Sequence, residues 1–201
     1  MDPRRRPRAR LASRSSFGLR PHPDAGSLWG AAGIDGLPAE QDQIDQYWHL
    51  ARAAATHGLE HYEISNYARP GFRSRHNQIY WHAAEYPAAG PGACGFVGRM
   101  RYANVKATPR YCQVLADGAL PVASAEELSA RQRLAERLLL GLRTADGVPT
   151  TWLETRLDGD RGLRQRIDAW RAKTLLVDVA DRVRLTEAGF LLSDALFVEL
   201  L

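Results

Sequence analysis

A chain of 201 residues is long enough to bury a hydrophobic core as one large domain or two small ones. Apolar content of 45% and charged content of 25% are ordinary for a globular protein, which argues against a fibrous or a wholly disordered chain. No apolar run is long enough to span a bilayer, and the pattern of a secretory signal is absent, so we expect a cytoplasmic protein without a transmembrane segment.

The formal charge of +4 is concentrated at one end of the chain. Residues 1–20 contain seven arginines and one acid, whereas residues 21–201 together sum to −2. Since residues 1–27 are rich in Arg, Pro and Ser, we predict a disordered, solvated tail there. A basic arm that binds nucleic acid is the alternative for this tail, but composition does not favour nucleic acid as a partner.

Two elements of an α/β unit are predicted after Pro38. The segment AEQDQIDQYWHLARAAATHG places apolar side chains on one helical face, and Gly58 fits the left-handed position that ends a helix. LEHYEIS follows as a short strand with alternating side chains. From Asn66 to Pro121 the sequence is loop-like with Gly and Pro breakers, although its aromatic residues indicate that the stretch is packed.

The last eighty residues have the pattern of a helical module. Ser124 and Glu127 form a potential capping box for a helix that presents leucines inward. TTWLETRL and DRGLRQRIDAWRAK predict two shorter helices, LLVDVADRVRLT a β-hairpin, and TEAGFLLSDALFVELL a closing helix capped by Thr186. Three helices, a hairpin and a last helix define a winged-helix-like module. It could be a packing module, or it could bind DNA through the arginines of its candidate recognition helix, Arg161, Arg164, Arg166 and Arg171.

The stretch RHNQIYW groups residue types that can hold a metal-bearing planar ligand. A neutral imidazole can ligate heme iron, so His76 is the candidate iron ligand, with Asn77 as its orienting neighbour. Tyr80 and Trp81 would supply flat apolar contact, and Arg73 or Arg75 could meet a propionate. In the alternative interpretation, the two polar side chains satisfy backbone groups of a turn and the two aromatic ones fill a core.

Two further features carry weaker signals. GPGACG at 90–95 is a glycine-rich loop, but it has neither the spacing of a dinucleotide-binding loop nor that of a P-loop. Cys94 and Cys112 are the only cysteines, and they lie too far apart, without a second pair, to predict a zinc or iron–sulfur site.

Several motifs in sequence order resemble the HemW family, which comprises radical-SAM heme chaperones related to oxygen-independent coproporphyrinogen III oxidase. EISNYARPGFRSRHNQIYW is similar to the stretch of that family that ends in H-N-x-x-Y-W, which is taken there as a heme-binding element. GPGA at 90–93, GLRTADGVP at 141–149 and VRLTEAGFLLSDAL at 183–196 resemble later motifs of the same family. The resemblance covers about residues 28–201.

The resemblance implies an α+β fold, with the remnant of a partial TIM-like radical-SAM barrel over 28–120 and a winged-helix-like domain over 121–201. It implies a protein that binds heme and passes it to a recipient protein in the tetrapyrrole pathway. Tyr62 and Glu63, at the end of the predicted strand, would lie near the S-adenosylmethionine pocket of a complete relative.

This sequence departs from the family in three places. It lacks the C-x-x-x-C-x-x-C motif that holds a [4Fe–4S] cluster, so radical chemistry is not expected of this chain alone. Cys94 stands where the family commonly has His. Residues 1–27 match nothing in the family. We therefore expect a truncated or frameshifted version of a longer protein, in which residues 1–27 are mistranslated; a DNA-binding regulator and a nonfunctional remnant are the alternatives.

Overall fold

The computed structural model describes residues 13–15 and 39–200, and these residues form an α+β fold, as predicted. The chain divides into two compact units, Met1–Ser74 and Arg75–Leu201. Of the predicted tail over 1–27, only Ser13–Ser15 are described, and they form a strand; the rest of that prediction lies outside the described residues. The described part contains no helix that is both long and apolar enough to cross a membrane.

The first unit packs one helix against a three-stranded antiparallel sheet. The sheet order is β1-β3-β2, and its elements are β1 (Ser13–Ser15), α1 (Glu40–Thr56), β2 (Glu60–Glu63) and β3 (Asn66–Ala68). Ala54, Leu59 and Tyr67 form a small buried cluster between helix and sheet. Helix α1 ends as predicted, since Gly58 adopts a φ of +70° and the Leu59 N–H donates to the carbonyl of Ala54.

The second unit begins with a short helix and a second antiparallel sheet. Its elements up to the C-terminal module are α2 (Arg75–Trp81), β4 (Cys94–Val97), β5 (Met100–Asn104), α3 (Thr108–Ala116) and β6 (Val122–Glu127), with sheet order β4-β5-β6. The prediction that residues 66–121 are loop-like is therefore wrong. The glycines and prolines that suggested a loop lie in the turns, and the strands between them are too short to give a clear alternating pattern.

The C-terminal module surrounds the main hydrophobic core. Its elements are α4 (Ala130–Leu142), β7 (Val148–Pro149), α5 (Thr150–Leu157), α6 (Arg161–Ala172), β8 (Leu176–Val179), β9 (Arg182–Leu185), α7 (Glu187–Leu191) and α8 (Ser193–Leu200). The strands pair in the order β7-β9-β8. Leucines from the helices and hairpin meet Trp170 and Phe190 in one continuous buried cluster. Every helix of the module contributes side chains to this one cluster. The module therefore packs as a single cooperative unit.

Two helix boundaries differ from the sequence prediction. Ser124 and Glu127 lie in β6, which pairs with β5, and α4 is instead capped by Ser129, whose side chain accepts from the N–H of Gln132 at 3.3 Å. The two S-x-x-E/Q patterns are equivalent locally, and strand pairing decides between them. The closing helix does begin at Thr186, whose hydroxyl accepts from the Gly189 N–H, but it is interrupted at Leu192.

Candidate functional site

Tyr62 lies in the core of the first unit, at the end of β2. Its side chain is 1% exposed, and its hydroxyl accepts a hydrogen bond from the Ser74 N–H at 3.3 Å. The Arg73 guanidinium lies 5.7 Å from the centre of its ring and 3.9 Å from the Glu60 carboxylate. Burial raises the pKa of Tyr62, so the ring remains a neutral phenol. Arg73, one of the two predicted propionate contacts, therefore already has partners within its own unit.

Glu63 is a fully buried carboxyl group whose partners come from its own hairpin. One oxygen accepts from the Ser65 N–H at 3.1 Å, and the other accepts from the side-chain amide of Asn66. A buried carboxylate with both oxygens hydrogen-bonded stabilises the turn between β2 and β3. The expected place of Tyr62 and Glu63 near a bound S-adenosylmethionine stays a prediction.

The four residues of the heme motif lie together on α2, in the second unit. The stretch RHNQIYW is a seven-residue helix rather than a turn. Helical spacing places residues four apart on the same side, so His76 pairs with Tyr80 and Asn77 with Trp81. His76 is exposed, whereas the other three are partly buried. The helix thus presents an imidazole to solvent beside two half-buried aromatic rings.

Tyr80 holds the His76 ring in place. The Tyr80 hydroxyl lies 3.2 Å from Nε2 of His76, and the two rings meet edge to face with centres 5.0 Å apart. A histidine that ligates a metal usually gives its other ring nitrogen to an oxygen acceptor, which fixes the tautomer and the ring orientation. In the tautomer that has its proton on Nε2, Nε2–H donates to the Tyr80 hydroxyl and Nδ1 offers its lone pair.

The His76–Tyr80 pair continues into the sheet through Tyr86. The rings of Tyr80 and Tyr86 meet edge to face with centres 4.7 Å apart. Tyr86 exchanges two backbone hydrogen bonds with Phe96 of β4, at 2.8 and 2.9 Å. Burial raises the pKa of Tyr86, and the neighbouring Tyr80 raises it further. These contacts join α2 to the sheet as one aromatic surface.

Two buried donors lie on the same helix. The Nε1 of Trp81 and the Nε2 of Gln78 are inaccessible to solvent and have no hydrogen-bond acceptor among the described residues. Each unpaired buried donor costs roughly 1–3 kcal/mol. Because both atoms are inaccessible to solvent, an acceptor could reach them only if neighbouring side chains moved.

The glycine-rich loop is held by internal hydrogen bonds. Gly90 has a φ of +105°, and its N–H donates to the Tyr111 hydroxyl at 3.1 Å. The N–H of Gly92 donates to the Val105 carbonyl at 3.0 Å, and the buried Asn104 amide donates to the Gly90 carbonyl at 3.1 Å. Because these backbone groups already have partners, the loop is a structural corner rather than a cradle for a ligand.

The cysteines do not fit an iron–sulfur cluster. Cys94 and Cys112 are both exposed free thiols, and no group of three or more His, Cys, Asp or Glu side chains in the described residues could hold a metal ion. A [4Fe–4S] cluster requires several thiolates converging on one point. The described residues thus offer no ligand set for the cluster.

The arginines of α6 are partly neutralised by neighbours. Arg164 forms an ion pair with Glu154 at 3.0 Å, and Arg171 binds both oxygens of Asp178 at 3.0 Å. Arginines held in this way present less positive potential to a phosphate backbone. This face of the module therefore gives no support to the DNA-binding alternative.

The sequence interpretation missed a cavity lined by arginines, which we call the arginine groove. It has a volume of about 330 Å³ and is lined by Arg99, Ala130, Arg133, Leu134, Arg137 and Trp152. Its side chains come from the β4–β5 turn, α4 and α5, so no single stretch of sequence reveals it. The i, i+4 spacing of Arg133 and Arg137 is the one local signal, and it is equally typical of any solvated helix face.

Comparisons with known proteins show which proteins this chain is similar to. The HemN C-terminal domain family matches residues 128–192. Heme chaperone HemW of Mycobacterium tuberculosis (strain H37Rv) is 40% identical over 151 residues, which cover 75% of this chain and 37% of that protein. Heme chaperone HemW of Lactococcus lactis is 31% identical over 174 residues, which cover 84% of this chain and 45% of that protein. The chain thus spans less than half the length of these relatives.

A solved structure gives the fold. Coproporphyrinogen III oxidase (HemN) from Escherichia coli, described as a radical SAM enzyme, aligns with a TM-score of 0.73 at 14% identity, covering 94% of this chain and 48% of that one. This likeness shows the fold alone, which is HemN-like. Together with the sequence matches it identifies the family as well: the chain belongs to the HemW family and represents its C-terminal part.

Proposed function

We propose that this chain binds heme through His76 and passes it to a recipient protein in the cytoplasm. The observation that carries the proposal is the exposed imidazole of His76, oriented by the Tyr80 hydroxyl at 3.2 Å on a helix that also carries Asn77 and Trp81. Two relatives that match most of this chain are named heme chaperones. For the fold, we infer a barrel remnant over residues 28–120 and a winged-helix-like module over residues 121–201.

The chemistry needed is ligand exchange at iron. An imidazole lone pair binds heme iron directly, and a flat aromatic surface covers part of the porphyrin face. Tyr80 and Trp81, both partly buried on α2, supply the rings. Because His76 lies on the surface of a short helix, the iron remains accessible to a competing ligand from the recipient. Such exposure suits a carrier better than a permanent heme protein.

Radical chemistry is not part of this proposal. The cluster motif is absent from the sequence, and the two cysteines are exposed and distant in sequence. Heme binding through an imidazole requires neither the cluster nor S-adenosylmethionine. The proposal therefore concerns only heme held and released by the residues of this chain.

A hemin titration with histidine variants tests the proposal. We expect a saturable Soret band with the full chain and at least about tenfold weaker binding for His76→Ala, because the axial bond is lost. His49→Ala, an exposed histidine of α1, is the matched control and should bind like wild type. His82→Ala tests the other exposed imidazole near α2. Unchanged binding and an unchanged Soret band in His76→Ala would remove His76 as the ligand.

Release is tested separately from binding. The hemin-loaded chain is mixed with apomyoglobin, and the rate at which the absorbance changes to that of the holo acceptor is recorded. A chaperone should transfer faster than the same amount of hemin bound to albumin. Binding without such transfer would indicate a heme-binding protein but not a carrier.

A further inference from the structure

We infer that the arginine groove receives the propionate carboxylates of the heme that His76 holds, an inference that rests on the proposed function. The groove lies in the same unit as α2 and combines three guanidinium groups with one indole ring. Arginine is the side chain best suited to a carboxylate, because its planar fork matches two carboxylate oxygens.

Two of the three arginines have uncompensated charge. Arg99 lies 3.4 Å from the Glu127 carboxylate, but neither Arg133 nor Arg137 forms an ion pair within the described residues. Their guanidinium groups instead lie over aromatic faces, Arg133 at 5.6 Å from the Phe96 ring centre and Arg137 at 5.5 Å from that of Trp152. Stacking of this kind pre-positions a guanidinium while leaving its N–H edge free for an anion.

The groove is linked to His76 through a series of neighbouring residues. Helix α2 packs against α4, the helix that carries Arg133 and Arg137. The aromatic path from His76 through Tyr80 to Tyr86 reaches the Phe96 strand pair, and Arg133 lies on the ring of Phe96. Each step is a contact between neighbouring groups. These contacts place the groove in the same packed neighbourhood as His76, and the inference requires that a large flat ligand held at His76 extend toward it.

The size of the groove suits part of a ligand rather than a whole one. Its volume of about 330 Å³ is at the low end of the range for sites that enclose a drug-sized molecule. Ala130, Leu134 and Trp152 give it apolar walls beside the guanidinium groups. An acidic edge on a flat apolar body matches that combination, whereas a fully hydrated small anion gains nothing from the indole.

The test compares hemin with hemin dimethyl ester, whose propionates are blocked. In the full wild-type chain, hemin should bind about tenfold more tightly than the ester, the size expected for partly exposed charge-assisted contacts. Arg133→Gln/Arg137→Gln should bind both forms equally, at the affinity of the ester. Arg133→Lys/Arg137→Lys keeps the charge without the fork and should retain part of the preference.

A charge-matched control separates contact from long-range attraction. Arg110→Gln/Arg131→Gln removes the same charge at two exposed arginines outside the groove and should keep the wild-type preference. Equal loss in both double variants, or a wild-type chain that does not distinguish hemin from its ester, would overturn the groove as the propionate site. His76→Ala should lose the axial signature in the Soret band but keep the preference.

Failure of the groove and failure of the proposed function give different results. A normal, His76-dependent Soret band with no role for Arg133 and Arg137 refutes the groove alone. No Soret band with the wild-type chain refutes both. Thermal melts of the variants followed by circular dichroism confirm that each protein is folded before binding is compared.

Discussion

Gly147 is the position in the C-terminal module where a single methyl group should cost the most. Its φ is +63°, which disfavours any residue with a Cβ. A Cβ built there would lie 2.6 Å from the Cβ and 2.9 Å from the Cα of Arg184 and would overlap the Val183 carbonyl oxygen. These are atoms of β9, a strand held on both sides by β7 and β8, so they cannot move aside cheaply.

The expected cost of Gly147→Ala follows from two terms. A left-handed conformation costs a non-glycine residue about 1–2 kcal/mol, and overpacking against a fixed backbone costs about 1–3 kcal/mol or more. We therefore expect a destabilisation of about 2–5 kcal/mol. With a urea slope of about 1–3 kcal/mol/M, this lowers the unfolding midpoint of the module by roughly 1 M or more.

Gly159→Ala provides the matched control. Gly159 has a similar φ of +73°, but a Cβ there would meet nothing within 4 Å. Gly159→Ala should therefore be destabilised only by the left-handed backbone conformation, which costs about 1–2 kcal/mol. Urea unfolding followed by circular dichroism measures both variants. If the two midpoints fall by the same amount, the close approach of β9 to Gly147 has no energetic consequence and the reasoning is refuted.

Three further predictions concern a cap, a carboxylate and a loop. Ser129→Ala should lower the free energy of unfolding in urea by about 1 kcal/mol because it removes the cap of α4, whereas Ser124→Ala should be close to neutral. A larger loss for Ser124→Ala than for Ser129→Ala would indicate that Ser124 caps the helix instead. Asp160 accepts the Leu163 N–H at 2.9 Å, and this bond, with help from Arg156, lowers the pKa of its carboxyl group. The ionised carboxylate therefore stabilises the fold at pH values above the pKa that Asp160 has in the unfolded chain. This stabilisation is lost as the pH falls through the lower pKa that Asp160 has in the folded protein. Asp160→Asn, which keeps a capping side chain, should be less stable than wild type at pH 7, and the gap should narrow as the pH is lowered below about 4; a gap that does not narrow on acidification would contradict this. Asn104→Ala should cost about 0.5–1.5 kcal/mol, because it removes the amide that donates to the Gly90 carbonyl at 3.1 Å and leaves that carbonyl only the Ala93 N–H at 3.3 Å, and an unchanged melting temperature would show that the loop needs no such support.

The elements that the sequence predicted well are those with strong local signals. Helices α1, α5 and α6 have clear apolar faces, and the β8–β9 hairpin follows from two alternating runs around a short turn. Helix α6 buries Leu163, Ile167 and Trp170, whose spacing of four and three residues places them on one side of a helix. In each case local pattern and tertiary burial agree, so the periodicity was sufficient.

The elements that were missed depend on partners distant in sequence. Strand β6 has six exposed side chains and no alternating pattern, so only its hydrogen bonds to β5 reveal it. The arginine groove likewise assembles from three separate stretches of chain. For the heme motif, the four residues could be identified from the sequence. The contact between His76 and Tyr80 could not, because it depends on a helix that the sequence RHNQIYW alone does not predict.

Strand β6 also affects the colloidal behaviour of the protein. It lies at an edge of its sheet, where an unprotected strand would act as a template for a second chain. Its last two residues, Glu126 and Glu127, are ion-paired to Arg101 and Arg99 and therefore hold charge along that edge. Charged edges of this kind resist strand-to-strand addition. The ion pairs that join this strand to its neighbours thus also oppose the formation of β-sheet aggregates at high protein concentration.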